Sequence, residues 1–115
     1  MIKLELKRGD TLRGSFALKD KVTGQPIDLT GCSFRMQVRT KQKQLLADLS
    51  SDAGNIVCSD PPSGVVSVEI DKDVTATFPI TTVFYDLETT FSDGYRISTE
   101  TIHLKILPDE TWTAS

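Results

Sequence analysis

The stretch PIDLTGCSFRMQVRT, residues 26–40, decides the fold, because its two halves read as different structures. In the second half Cys32, Phe34, Met36 and Val38 alternate with Ser33, Arg35, Gln37 and Arg39. Neighbouring side chains on a strand point to opposite faces, so this is a strand with one buried side. The first half is a turn that launches it. Pro26 restricts the residue before it, Asp28 and Thr30 can accept backbone N–H bonds, and Gly31 frees the backbone to enter the strand.

Working outward, the same period of two recurs between clusters of Gly, Pro, Asp and Ser, while helical periodicity is almost absent. Ile2, Leu4 and Leu6 share a face in IKLEL, a half-buried strand whose lysines suit a sheet edge. Leu12, Phe16 and Leu18 keep the period in TLRGSFAL, with Gly14 on the inward face at a candidate bulge. Leu45, Ala47 and Leu49 form the next strand, paired with 32–39 across the polar turn TKQK. GNIVCS and GVVSVEI add two more, the second with Val66, Val68 and Ile70 inward. DKDVTATF offers one helical turn capped by Asp71 or Asp73. The longest hairpin joins Val83, Tyr85, Leu87 and Thr89 to Ile102, Leu104 and Ile106 across SDG. Ile97 is out of phase with the latter, which places an irregularity between Ser98 and Thr101.

About seven or eight strands and at most one helical turn fit an all-β, immunoglobulin-like antiparallel β-sandwich, with an open barrel as the competitor. At 115 residues the chain suits one core. The domain is expected over 1–108, followed by a tail, 109–115, that lacks periodicity. With 38% hydrophobic and 25% charged residues the composition is that of a folded protein. A net charge of -3 disfavours generic nucleic-acid binding. No apolar run is long enough to span a membrane as a helix, and the charged start MIKLELKRGD does not read as a signal peptide. Cys32 and Cys58 fall on inward positions and are expected as packed free thiols, with a bridge open if their strands face each other.

Catalytic constellations are missing from the pattern. Nucleophilic catalysis needs a nucleophile beside a base, and the one histidine, His103, lies between two inward residues and so points out. Asp48, Asp52, Asp60, Asp71 and Asp73 read as turn and strand-end residues. Loops counted from Asp48 and from Asp71 lack the glycine and glutamate of a helix–loop–helix calcium site, and no phosphate-binding glycine loop is present. No enzyme, cofactor or metal is therefore expected. Arg35 and Arg39 form either a solvated face, paired with cross-strand acids, or a contact surface. Phe84 and Phe91, expected to be exposed, and Trp112 in the tail complete the candidate interaction residues.

Gly9 and Asp10, the turn Pro26, Asp28, Leu29, Thr30 and Gly31, the arginines Arg35 and Arg39, the trio Tyr85, Asp86 and Leu87, and Asp93 with Gly94 resemble a family of phage and prophage proteins. That family includes the N-terminal domain of baseplate upper proteins, and the resemblance covers about residues 2–108. It implies an immunoglobulin-like sandwich that serves as a structural component of a tailed-phage or prophage particle, in the tail, baseplate or head–tail region. The implied partners are other virion proteins and copies of itself, with no nucleic acid, membrane or small-molecule substrate. The implied location is the virion, after synthesis in the bacterial cytoplasm. The alternative is a carbohydrate- or host-receptor-binding module.

Overall fold

The strand foreseen in the opening stretch, β3 (Ser33–Arg39), lies inside a sheet with neighbours on both edges. The computed structural model describes residues 2–109; of the tail expected over 109–115, residues 110–115, with Trp112, lie outside them. On one edge β3 pairs with β4 (Leu45–Ser50). On the other it pairs with β7 (Thr82–Tyr85) and β8 (Leu87–Thr90), two parts of one strand interrupted at Asp86. Beyond them lie β9 (Arg96–Ser98) on β8, β10 (Ile102–Leu107) on β7, and β1 (Ile2–Lys7) on β10. The second sheet is smaller: β2 (Leu12–Ala17), β6 (Val65–Ile70) and β5 (Ile56–Val57), in that order. Two sheets with their inward residues interleaved make an immunoglobulin-like β-sandwich.

The core follows the alternation. Phe34, Met36 and Val38 from β3, Val83, Tyr85, Leu87 and Thr89 from β7 and β8, and Ile102, Leu104 and Ile106 from β10 are buried, as are Leu12, Ile56, Val66, Val68 and Ile70 opposite them. Each apolar side chain fully buried this way contributes about 1.5–3 kcal/mol. The one-turn helix α1 (Lys72–Thr75) starts where foreseen, with the Asp71 carboxylate accepting the Asp73 N–H at 3.1 Å. Just beyond it Phe78 plugs the core.

Four local expectations change. The sandwich is not wholly antiparallel, because β1 runs parallel to β10. The chain crosses to the other sheet after β1, so β1 and β2 never form a hairpin. Ile2 and Leu4 are 43% exposed, less covered than a half-buried strand should be. They lie on the strand at the end of the larger sheet's order, with β10 as its neighbour there. Gly14 marks no bulge: the β2–β6 register runs unbroken from Leu12 opposite Ile70 to Ala17 opposite Val65. In β4, by contrast, the register shifts so that Val38 faces Ala47 while Arg39 faces Leu45. The extra residue switches faces, turning Leu45 outward at 45% exposure and sending Leu46 toward the core.

The irregularity foreseen between Ser98 and Thr101 is present and chemically specific. β9 ends at Ser98 and β10 starts at Ile102. In that gap the Leu87 N–H donates to Thr99 Oγ1 at 3.0 Å and the Thr99 N–H to the Leu87 carbonyl, so a side chain completes the ladder across the step. Ile97 sits opposite the inward Thr89, and Ile102 opposite the inward Tyr85, although the two isoleucines are an odd number of residues apart.

Gly64 closes the turn into β6 with φ 73°, and its carbonyl accepts the Leu18 N–H at 2.8 Å. A methyl at this position would stand 2.6 Å from the Leu18 carbonyl oxygen. Gly64→Ala should therefore destabilise the fold by about 2–3 kcal/mol, through left-handed strain and the clash with backbone. Urea unfolding of the variant beside the unmodified chain checks it.

Candidate functional site

The arginines of β3 stand on the outer face of the large sheet, and the sheet itself supplies their partners. Arg35 Nη2 lies 3.2 Å from Asp48 Oδ2, with Arg35 Nε 3.4 Å from Oδ1. Asp48 also accepts Gln37 Nε2 at 3.3 Å, and Gln37 Oε1 accepts Arg39 Nη2 at 2.7 Å. Arg39 Nη1 closes the row on the Lys43 carbonyl at 2.8 Å. Lys43 sits at φ 71° in the β3–β4 turn. On the other flank Glu88 lies opposite Arg35, and Arg96 Nε reaches Glu88 Oε1 at 3.5 Å. Acids and arginines thus alternate across β4, β3, β8 and β9. Asp48 belongs to the interior of β4 rather than to a turn, and reading QLLADLS as a strand already places it on the arginines' face.

The Arg35 guanidinium, as hydrogen-bond donor and charge, holds the Asp48 carboxyl below its usual 3.8 against a smaller opposing effect of burial. In the turn before β3, Asp28 is likewise held below 3.8, first by the Thr30 hydroxyl at 2.6 Å and then by the Thr30 N–H at 3.0 Å. Thr30 thus acts there as donor to Asp28.

The two phenylalanines do not join one patch with each other. Phe84 lies opposite Arg39 and packs edge-on against His103, with ring centroids 4.7 Å apart. Phe91 sits past the end of β8 against Tyr95, centroids 5.7 Å apart. Both are half-buried rather than exposed, Phe84 beside the His103 ring and Phe91 against the core edge. Arg39 and Phe84 border a shallow hollow of about 190 Å³ with Thr40, Lys43, Asp86 and Thr101.

The larger opening was not legible in the sequence. Between the end of β2 and the β8–β9 hairpin lies a groove of about 840 Å³, lined by Leu18, Ile27, Thr89, Phe91, Tyr95 and Ile97 among others. Tyr95 is 65% exposed at its rim, and the buried Thr89 Oγ1 beneath has no hydrogen-bond partner. The sequence signal was weak because the groove joins residues far apart in the chain. Cys32 and Cys58 are free, half-buried thiols, each raised above 9.0 chiefly by burial. Among the described residues no three His, Cys, Asp or Glu side chains are grouped to hold a metal ion.

No protein-family model matches the chain, and neither does any curated protein sequence. Solved structures do. The N-terminal domain of phage TP901-1 ORF48 is similar over 90% of this chain and 82% of its own, at 16% identity and a TM-score of 0.56. The immunoglobulin-like domain of mouse leukocyte-associated immunoglobulin-like receptor 1, solved as a strand-swapped dimer, covers 91% of this chain and 88% of its own, at 15% identity and a TM-score of 0.54. CopC from Methylosinus trichosporium OB3b covers 98% and 91%, at 9% identity and a TM-score of 0.55. At these identities the shared property is the sandwich fold, which appears in a phage protein domain and in immunoglobulin-like domains alike.

Both lowered carboxylates contribute stability that is full above the unfolded value near 3.8 and lost as pH falls through their folded values. The urea midpoint should therefore fall between about pH 5 and about pH 2, and Asp28→Asn should remove part of that fall. Arg35→Glu with Arg39→Glu places like charge beside Asp48 and Glu88 and removes the Arg39 bond to the Lys43 carbonyl, so the double variant should lower the urea midpoint. Urea unfolding at pH 7 measures the second effect.

Proposed function

We propose that this chain is a non-enzymatic structural component of a tailed-phage or prophage particle, acting as a protein–protein interaction module in the tail, baseplate or head–tail region. The observation that carries the reading is that the phage-type motifs at Asp10, Leu29, Tyr85 with Leu87, and Asp93 occupy positions that hold the fold, while Arg35 and Arg39 stand on its outer face. The Asp10 N–H donates to the Lys7 carbonyl, and the Asp10 backbone carbonyl accepts the Thr75 hydroxyl at 2.7 Å. Leu29 is buried and donates its N–H to the Pro61 carbonyl. Tyr85 and Leu87 lie in the core, and Asp93 accepts the Tyr95 N–H at 2.9 Å in the β8–β9 turn. Motifs of this kind mark a shared scaffold, and the similarity to the phage TP901-1 ORF48 domain supports that scaffold over most of the chain.

Function then rests on surfaces. Sheet edges, the paired outer face of the large sheet and the groove beside Tyr95 are the places a neighbour could cover, and none of them needs a nucleophile or base. Other virion proteins and copies of this chain are the proposed partners, and the virion is the proposed location. Gradient-purified particles from an induced host should contain the chain at a fixed ratio to the major tail proteins. Particles that lack it at every stage of assembly would overturn the reading.

Tyr95, 65% exposed beside the half-buried Phe91 ring, favours one second reading, a carbohydrate- or host-receptor-binding module, because an exposed aromatic face can stack on a sugar. Binding on a glycan array that is lost in Tyr95→Ala supports it. A blank array, with calcium present, removes it.

A further inference from the structure

β1 is the outermost strand of the large sheet, and its exposed edge has the sequence of a strand that pairs with itself. Among the described residues it hydrogen-bonds to β10 alone, in an unbroken ladder from Ile2 to Lys7. Ile2 and Leu4 stay 43% exposed on the side where their neighbours Ile102 and Leu104 are buried. Natural edge strands are usually protected by proline, a bulge, short length or charge. β1 is six residues long, with no proline and no break in its ladder, so its charges Lys3, Glu5 and Lys7 determine what can pair with it.

In an antiparallel pair, facing residues point to the same side of the sheet. A two-fold axis passing between two residues of β1 would set isoleucine or leucine against lysine or glutamate, so the axis must pass through a residue. Centred on Lys3, the register sets that lysine against itself. Centred on Glu5, it sets glutamate against glutamate and Lys3 against Lys7. Centred on Leu6, it sets Leu4 against Arg8, where the chain has already turned through the Asp10 N–H to Lys7 carbonyl bond. The register centred on Leu4 has none of these conflicts: Leu4 meets Leu4, Ile2 meets Leu6 twice, and Lys3 meets Glu5 twice. Opposite charges and apolar residues placed directly across a sheet are each favourable.

We propose that two copies of this chain join antiparallel through β1, centred on Leu4, so that their large sheets become one sheet across a two-fold axis. The contact covers the exposed Ile2 and Leu4 side chains. This deepens the interaction-module reading by naming one partner, and it fails separately from that reading.

Sedimentation velocity of the full chain, from about 1 µM to about 1 mM, tests it. The chain should dimerise. Lys3→Glu and Glu5→Lys each set like charges opposite one another twice, and each should raise the dimer Kd about tenfold or more. The double exchange, Lys3→Glu with Glu5→Lys, restores opposite charges and should return Kd to within about threefold. Leu4→Ser, which keeps the β10 ladder, should also weaken the dimer, and circular dichroism should show every variant folded. A chain monomeric throughout overturns the proposal, and that result includes the case in which a different protein occupies the edge. So does a dimer indifferent to the single reversals, as exchange of β1 between copies would produce, or one that the double variant fails to restore. A monomer that still copurifies with particles would leave the interaction-module reading standing.

Discussion

Burial of one face of β3 is the constraint on which the rest of the structure depends. Phe34, Met36 and Val38 are almost completely buried, and a strand has a period of two, so a slip of one residue would expose all three and bury Arg35, Gln37 and Arg39. Because β3 has partners on both edges, that choice passes directly to β4, β7 and β8. Through β7 and β8 it reaches β9 and β10, and through β10 it reaches β1. The turn that launches β3 is held at Asp28 and Thr30, so the register starts from a defined point.

Where the period breaks, the chain accommodates the extra residue in a different way each time. At Leu45 and Leu46 the bulge turns one leucine outward and the next toward the core, so apolar area is partly exchanged rather than lost. Between β9 and β10 the Thr99 side chain bonds the backbone of Leu87, so a buried N–H keeps a partner while the strand changes phase. The first break was hidden in the sequence because two adjacent leucines fit either phase. The second was visible because Ile97 and Ile102 conflict with any regular strand.

The charged row that looked like a basic patch is neutralised within the sheet. Asp48, Gln37 and the Lys43 carbonyl take up the β3 arginines, and Glu88 pairs with Arg96 of β9, so acids and arginines alternate across the outer face. Such exposed pairs add little stability and suit a surface that is solvated or covered by a complementary neighbour. Attention then moves to the places where the sandwich is unfinished: the outermost strand β1 and the groove between the end of β2 and the β8–β9 hairpin.

The sequence by itself determined which residues form strands, which face of most of them is buried, where the capped helical turn begins, and that the last hairpin must change phase. These are local properties, set by side-chain period and turn chemistry within a few residues. Tertiary structure decided that β1 lies parallel on β10, that Glu88 stands opposite Arg35, that Phe84 and Phe91 stand at different places, and that a groove opens beside Tyr95. Each of these depends on which strands become neighbours, and backbone N–H and C=O groups are the same at every residue. Strand choice therefore follows from how all the buried faces fit together, which no short window of sequence contains.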